Sequence, residues 1–251
     1  MTSQPADVRL AWQRRVVDRS LAKAVRRTLD RGAELVLAAA SLLEQTGSDS
    51  FTVQDVADTA GLNLRHLYLY FDGKDDLLLA VLEEAMVSFA RLLRQSIEDI
   101  DGPAERLAAA IYLALRFGER SPQKLNLGLG RLRLRLQQVS PQQLAVAQAP
   151  LTEFFALLVR AAAEAGEVDA PDADAGAYTI LTVIHGYGLS RSLGSEVSLE
   201  LPTVSWLVTY ALRGMDAKLP AGWLGWLEQR WNAMPDHYSV SGDLRPRHEQ
   251  D

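Results

Sequence analysis

Residues 51–71 crowd two helix starts, one helix stop and a set of apolar anchors into a single short stretch. Thr52 stands three residues before Asp55, the spacing of a reciprocal N-terminal cap. Val53, Val56, Ala57 and Ala60 then recur at helical spacing and form one apolar stripe. Ala57 is small at the point where a second helix must cross. Gly61 is placed to end the first helix in the left-handed region that glycine adopts at little cost. Asn63 is placed to cap the next helix, and Leu67 and Phe71, four residues apart, anchor it. A chain punctuated in this way makes two short helices joined by a tight turn. That is the helix-turn-helix, whose second helix lies in the DNA major groove. An ordinary helical hairpin in a core is the alternative. Agreement of caps, small residue, glycine and anchors at one spacing favours the motif.

The rest of the composition limits what surrounds it. With 251 residues, 48% of them hydrophobic and 23% charged, the chain can bury a large core and remain soluble. Alanine, leucine and arginine dominate and β-branched runs are few, which predicts an all-α fold. The absence of cysteine excludes disulfides, thiolate catalysis and cysteine-based zinc sites. No unbroken apolar run approaches the roughly 18 residues of a membrane span. The polar, basic N-terminus lacks the apolar segment of a secretory signal. A cytoplasmic protein with no membrane partner is the expectation.

A net charge of −6 is unusual for a chain that reads DNA, and its distribution is uneven. Residues 1–31 carry eight basic and three acidic side chains, net +5. Residues 32–80 carry Arg65 and Lys74 against eight acids, net −6. The helix-turn-helix is poor in phosphate-binding charge, and the arm before it is rich.

Periodicity and breakers divide the chain into a basic arm over 1–30, a DNA-binding domain over 31–76, a helical domain over 77–234 and a loose tail over 235–251. The arm is read as an extension, partly helical from Val8 to Arg27. Asp30 is expected to cap the first firm helix, about 31–46. After Asp72-Gly73 a long helix, roughly 40 Å by its residue count, runs to about Ile100. It is suited to carrying motion between domains. Further helices are expected near 104–118, 121–139, 141–165, 173–194 and 202–216, with a short one from Gly222 to Trp231. Trp223, Trp226 and Trp231 are expected to lock that last helix to its domain.

Residues 31–83 resemble the TetR family of transcriptional regulators. The resemblance rests on Phe51-Thr52-Val53, Asp55-Val56-Ala57, Ala60-Gly61-Leu62, Leu67-Tyr68-Leu69-Tyr70-Phe71, Lys74 and Leu77-Leu78. Over 104–216 only the helical pattern and Ile184-His185-Gly186-Tyr187-Gly188 are similar. The resemblance implies an all-α homodimer. An N-terminal three-helix reader would bind a double-stranded DNA operator, and a long helix would join it to a C-terminal ligand-binding and dimerisation domain. Repression released by a small-molecule effector is the family default. Leu64, Arg65 and His66 depart from the family's usual opening of the reading helix, so the bases read cannot be copied from a relative.

Arg65 is the first candidate for base readout, because its planar fork matches guanine O6 and N7; a phosphate contact is the alternative. His66 would donate to a phosphate or base edge, or simply lie exposed. Leu64 would touch a thymine methyl or pack inside. Tyr68 and Tyr70 resemble family positions that meet the DNA backbone, with one of them in the core. Lys74 resembles a family phosphate contact. Thr52 and Gln54 would reach phosphate from the preceding helix, unless Thr52 only caps. Arg14, Arg15, Arg19, Lys23, Arg26 and Arg27 are candidates for added backbone or minor-groove contacts; a solvated extension is the alternative.

In the regulatory half, Tyr112, Phe117, Leu129, Phe154, Tyr178 and His185 are candidate pocket residues, with His185 equally suited to a core or interface. Arg131, Arg133 and Arg135 alternate with leucines and would either bind an acidic effector or form a solvated face. Gly186, Gly188, Gly194, Trp206 and Tyr210 are candidates for the dimer contact, since small residues let helices approach closely. No cofactor or metal is implied. No catalytic motif is present and the four histidines have no metal-ligand spacing, so no enzyme is expected. The competing readings are an architectural DNA binder without an effector and a helical protein-interaction dimer.

Overall fold

The computed structural model describes residues 11–120, 123–193 and 201–234. Among them are α1 (Ala11–Thr46), α2 (Val53–Thr59), α3 (Leu64–Tyr70), α4 (Lys74–Ser96) and α5 (Pro103–Arg120). There follow α6 (Gln123–Val139), α7 (Pro141–Glu164), α8 (Ala173–Leu193), α9 (Val204–Arg213) and α10 (Trp223–Ala233). No strand occurs among the described residues.

The expected start of the first helix is wrong. α1 is one helix of 36 residues, and Asp30 lies inside it rather than capping it. Nothing between Ala11 and Thr46 is a proline, and Gly32 is the one glycine, so no breaker stops propagation. The arm is thus the first half of α1. Its Arg19, Lys23, Arg26 and Arg27 are exposed, as are Val16, Leu21, Val25 and Leu29. The side chains of Arg14 and Arg15 lie outside the described residues, as do the tail and Gly194. α4 stops at Ser96, four residues short of the expected end, and Ile97 follows with φ −123°.

Two apolar cores divide the molecule, and α4 belongs to both. Its first half, Leu77 to Ala85, joins Leu35, Leu43, Val56 and Leu67 of the first three helices. Ala90 and Leu93 of its second half, with Ile97 just beyond its end, join α5, α7, α8, α9 and α10. The N-terminal core is sealed from outside its own sequence: Leu125, Leu132 and Leu136 of α6, with Leu144 and Ala147 of α7, are buried in it. α6 lies close to α1 because Gly128 has no side chain; a Cβ there would stand 3.2 Å from Leu43 Cδ2.

α7 is long and apolar enough by composition to cross a bilayer, although polar residues interrupt its apolar runs. Its Leu151, Phe154, Phe155 and Val159 are buried against the second core, which accounts for its hydropathy. The tryptophans behave unequally. Trp231 is buried edge-on against Phe117, with centroids 5.5 Å apart, Trp223 packs on the core, and Trp226 is exposed. Arg230 ties α10 to α4 by pairing with Asp99 and donating to the Ser96 carbonyl.

Candidate functional site

The local chemistry of residues 51–71 forms as the sequence predicts. The Thr52 amide donates to Asp55 Oδ2 at 2.7 Å, and the Asp55 amide donates to Thr52 Oγ1 at 3.1 Å, closing the capping box. These bonds to Thr52 hold the Asp55 carboxyl below the usual carboxylate range. Gly61 has φ +67°. The His66 amide donates to Asn63 Oδ1 at 3.0 Å and starts α3. Val56, Ala57 and Leu67 are fully buried where α2 and α3 cross.

This scaffold turns one face of α3 outward. Arg65, His66 and Tyr68 are exposed, Leu64 is half-buried, and Tyr70 packs against the N-terminal core as the inner tyrosine of the pair. Leu69, which the sequence reading passed over, is the most exposed apolar side chain of α3 at 67%.

The flanking candidates are held by their own domain. Thr52 Oγ1 also donates to Asp55 Oδ2, and Gln54 Nε2 donates to Asp58 Oδ1 at 2.7 Å. Lys74 turns inward, donating to the Asp49 carbonyl with its ammonium 5.0 Å from the Phe51 ring centroid. The acids of this domain are structural too. Asp55 caps α2, Asp76 accepts from the Asp72 amide, and Asp49 and Asp75 both face Arg135 of α6 at 3.3 and 2.7 Å. Lys124 of α6 donates to the Gln45 carbonyl at 3.0 Å. The net −6 of residues 32–80 is therefore partly offset from the regulatory half.

A cavity of about 150 Å³ opens where α4, α5, α6 and α8 meet. α4 gives it Leu82, Ala85, Met86 and Phe89; α5 gives Ala114, Leu115, Phe117 and Gly118. α6 gives Asn126, Leu129, Gly130 and Arg133, and α8 gives Ile184, His185, Tyr187, Gly188, Leu189 and Arg191. Of the expected pocket residues, Phe117, Leu129 and His185 line it. Tyr112 and Phe154 do not: they are buried in the second core, because their positions on α5 and α7 face the interior of the bundle. Tyr178 does not either; it is 71% exposed on the outer face of α8. Gly188, expected at a dimer contact, lines the cavity.

The three alternating arginines separate into three environments. Arg131 is exposed, Arg133 faces the cavity, and Arg135 holds the two aspartates of the N-terminal domain. Burial pushes the Arg133 pKa down, with a smaller opposing effect from Tyr178. Burial, and then the Arg133 charge, push His185 down to about 3, so it is neutral at ordinary pH. Among the described residues no group of three His, Asp or Glu side chains is arranged to hold a metal ion.

Trp206 and Tyr210 stack on α9 with centroids 5.1 Å apart and planes 11° from parallel, and both are exposed. Gly186 lies on the exposed side of α8.

A helix-turn-helix reader fused to a helical domain with an internal cavity is the class this architecture defines. Residues 35–81 match the family described as bacterial regulatory proteins, tetR family. The transcriptional regulator BetI of Brucella suis biovar 1 (strain 1330) is 37% identical over 94 residues, which are 36% of this chain and 48% of BetI. The chain thus spans about half the length of the curated relatives it matches. Over the whole fold it is similar to RolR in complex with resorcinol, with a TM-score of 0.60 and 17% identity over 84% of this chain and 97% of RolR. The fatty acid degradation regulator FadR from Bacillus halodurans gives 0.57 and 17% over 73% of this chain and 93% of FadR.

Proposed function

We propose that the protein is a cytoplasmic, homodimeric transcriptional regulator. It reads an operator with α3 and lets go of it when a small molecule occupies the cavity. Repression is the sense of regulation that follows from release by a ligand. No catalytic turnover belongs to this reading.

The observation that carries it is the pair of helices shared by reader and cavity. α4 contributes Leu77 to Ala85 to the reader's core and Leu82 to Phe89 to the cavity wall. α6 turns Leu132 and Leu136 to the reader and Asn126 to Arg133 to the cavity. Arg135, two residues beyond Arg133, grips Asp49 and Asp75. A ligand that favours one setting of α4 and α6 therefore shifts the reader's position, by no more than its differential affinity for the two settings.

Arg65 reads a base, with His66, Tyr68 and Leu69 beside it; Leu69 supplies an apolar contact of the kind that meets a thymine methyl. Thr52, Gln54 and Lys74 serve the reader mainly as scaffold. The first half of α1 brings Arg19, Lys23, Arg26 and Arg27 to the DNA backbone. Tyr178, Trp206 and Tyr210 supply the dimer contact. Three large exposed aromatic side chains on two consecutive helices are unusual for a surface that stays in water.

Fluorescence anisotropy on duplex from the region upstream of the gene, against a scrambled duplex at equal salt, tests this function. Sequence-preferring binding is expected. Equal affinity for both duplexes overturns operator reading in favour of an architectural role. Removing residues 1–27 is expected to flatten the dependence of log K on log salt by about 0.9 for each phosphate that the arm neutralises.

A further inference from the structure

The cavity is chemically lopsided. Its α4 and α5 walls are apolar, and its polar groups all come from α6 and α8. Arg133 and Arg191 line it, and no carboxylate does so among the described residues. Arg133 has no ion pair or hydrogen bond with any described residue, in contrast to Arg135 on the same helix, which faces two carboxylates. A half-buried cation is partly desolvated, and surrounding groups normally supply its counter-charge. Here the cavity takes that place.

His185 stands near enough for the Arg133 charge to oppose its protonation. It has no hydrogen-bond partner among the described residues. A neutral imidazole keeps one N–H to donate. Asn126 gives one amide N–H to the Gly118 carbonyl at 3.1 Å and keeps a second, and Tyr187 adds a hydroxyl to the lining. The cavity's donors thus include a guanidinium fork and an imidazole N–H, a pair that suits two oxygens of one anion.

We propose that this cavity takes a small amphipathic organic anion, its carboxylate on Arg133 and His185 and its apolar body against α4 and α5. The proposal rests on the reading that the cavity is the effector site. A volume of about 150 Å³ is on the scale of a cavity that encloses a single benzene ring. The body is thus one aromatic ring on a short linker, or a medium-length alkyl chain. Because Arg133 and Arg135 share α6, an anion drawn onto the first acts on the helix whose second arginine holds the reader.

Calorimetric titration of the full-length protein with 3-phenylpropionate and octanoate, each against its primary amide, tests the class. The carboxylates are expected to bind at least about tenfold tighter than the amides, as fits a charge-assisted pair out of water. Arg133→Gln should bring that preference to within about twofold, while Arg133→Lys, which keeps the charge and loses the fork, should retain part of it. Arg133→Gln should fold and melt close to the wild type, since Arg133 makes no ion pair or hydrogen bond with a described residue that the substitution would break; if it does not fold, Arg133→Lys alone carries the comparison. Amides binding as well as carboxylates would overturn the anion and leave the cavity as a site for neutral ligands. Binding of neither series would overturn the effector reading along with it. A weaker dimer in Arg133→Gln by sedimentation velocity, with no carboxylate preference in the wild type, would mean that a second copy supplies the counter-charge, and would also overturn the proposal.

Discussion

The reader and the regulatory half are both bundles of helices, yet they are organised by different forces. In the reader, two seven-residue helices are too short to persist alone and depend on side chains within a few positions of each terminus. Thr52, Asp55, Gly61 and Asn63 are such side chains. In the regulatory half, helices of 17 to 24 residues need little capping and are placed by burial. Local chemistry thus fixes the outward face of α3, and packing between distant segments fixes the cavity.

The sharpest way to break this contrast is Leu132→Ala. Leu132 belongs by sequence to the regulatory half but is buried in the reader's core. Its truncation is expected to cost about 2–5 kcal/mol, with amide protection lost first in α2 and α3 by hydrogen exchange. Loss confined to α7 and α8 would mean that the reader stands by itself.

The next effect tests the other side. The unfolded chain protonates His185 near pH 6.5 and the folded chain not until about pH 3. Stability should therefore fall as pH drops below about 6.5, by about 1.4 kcal/mol per unit or roughly 2 kcal/mol by pH 5. Comparing melts of wild type and His185→Gln at pH 7 and pH 5 isolates this part, and equal pH slopes would place His185 in water.

Smaller still is Arg65→Ala. It should cost about 1–3 kcal/mol of discrimination at one base step without changing the melting temperature. A uniform loss across all sequences would make Arg65 a phosphate contact. Last comes Thr52→Ala, expected to cost about 1 kcal/mol through the cap of α2. Chemical denaturation monitored by circular dichroism measures it, and no change would mean that Asp55 holds the helix start unaided.

Legibility in the sequence followed the same division. The ends of α2 and α3 and the left-handed Gly61 were readable because each depends on residues at most four positions away. Phe117, Leu129 and His185 were found for the cavity, while Tyr112, Phe154 and Tyr178 were misassigned. An aromatic residue on a helix has the same periodicity whether it faces a core, a cavity or solvent. The arginine alternation was visible, but the separate surroundings of Arg131, Arg133 and Arg135 were not. Three positions spaced by two residues point about 200° apart around a helix, and only the neighbours of α6 say what lies in each direction. The unbroken α1 was missed because Asp30 looks like a cap, and a cap is used only where the chain has a reason to start a helix.

By itself the sequence determined the all-α class and the caps and turn of the reader. These follow from backbone hydrogen bonding and periodicity, which act over a few residues. Tertiary structure alone decided that α6 closes the reader's core, that Arg135 pairs with the reader's Asp49 and Asp75 and that Arg133 lines the cavity with no ion-pair partner among the described residues. Those outcomes depend on which segments meet across 60 or more positions of chain, Arg135 with Asp75 among them, and burial and charge pairing at that range leave no local pattern.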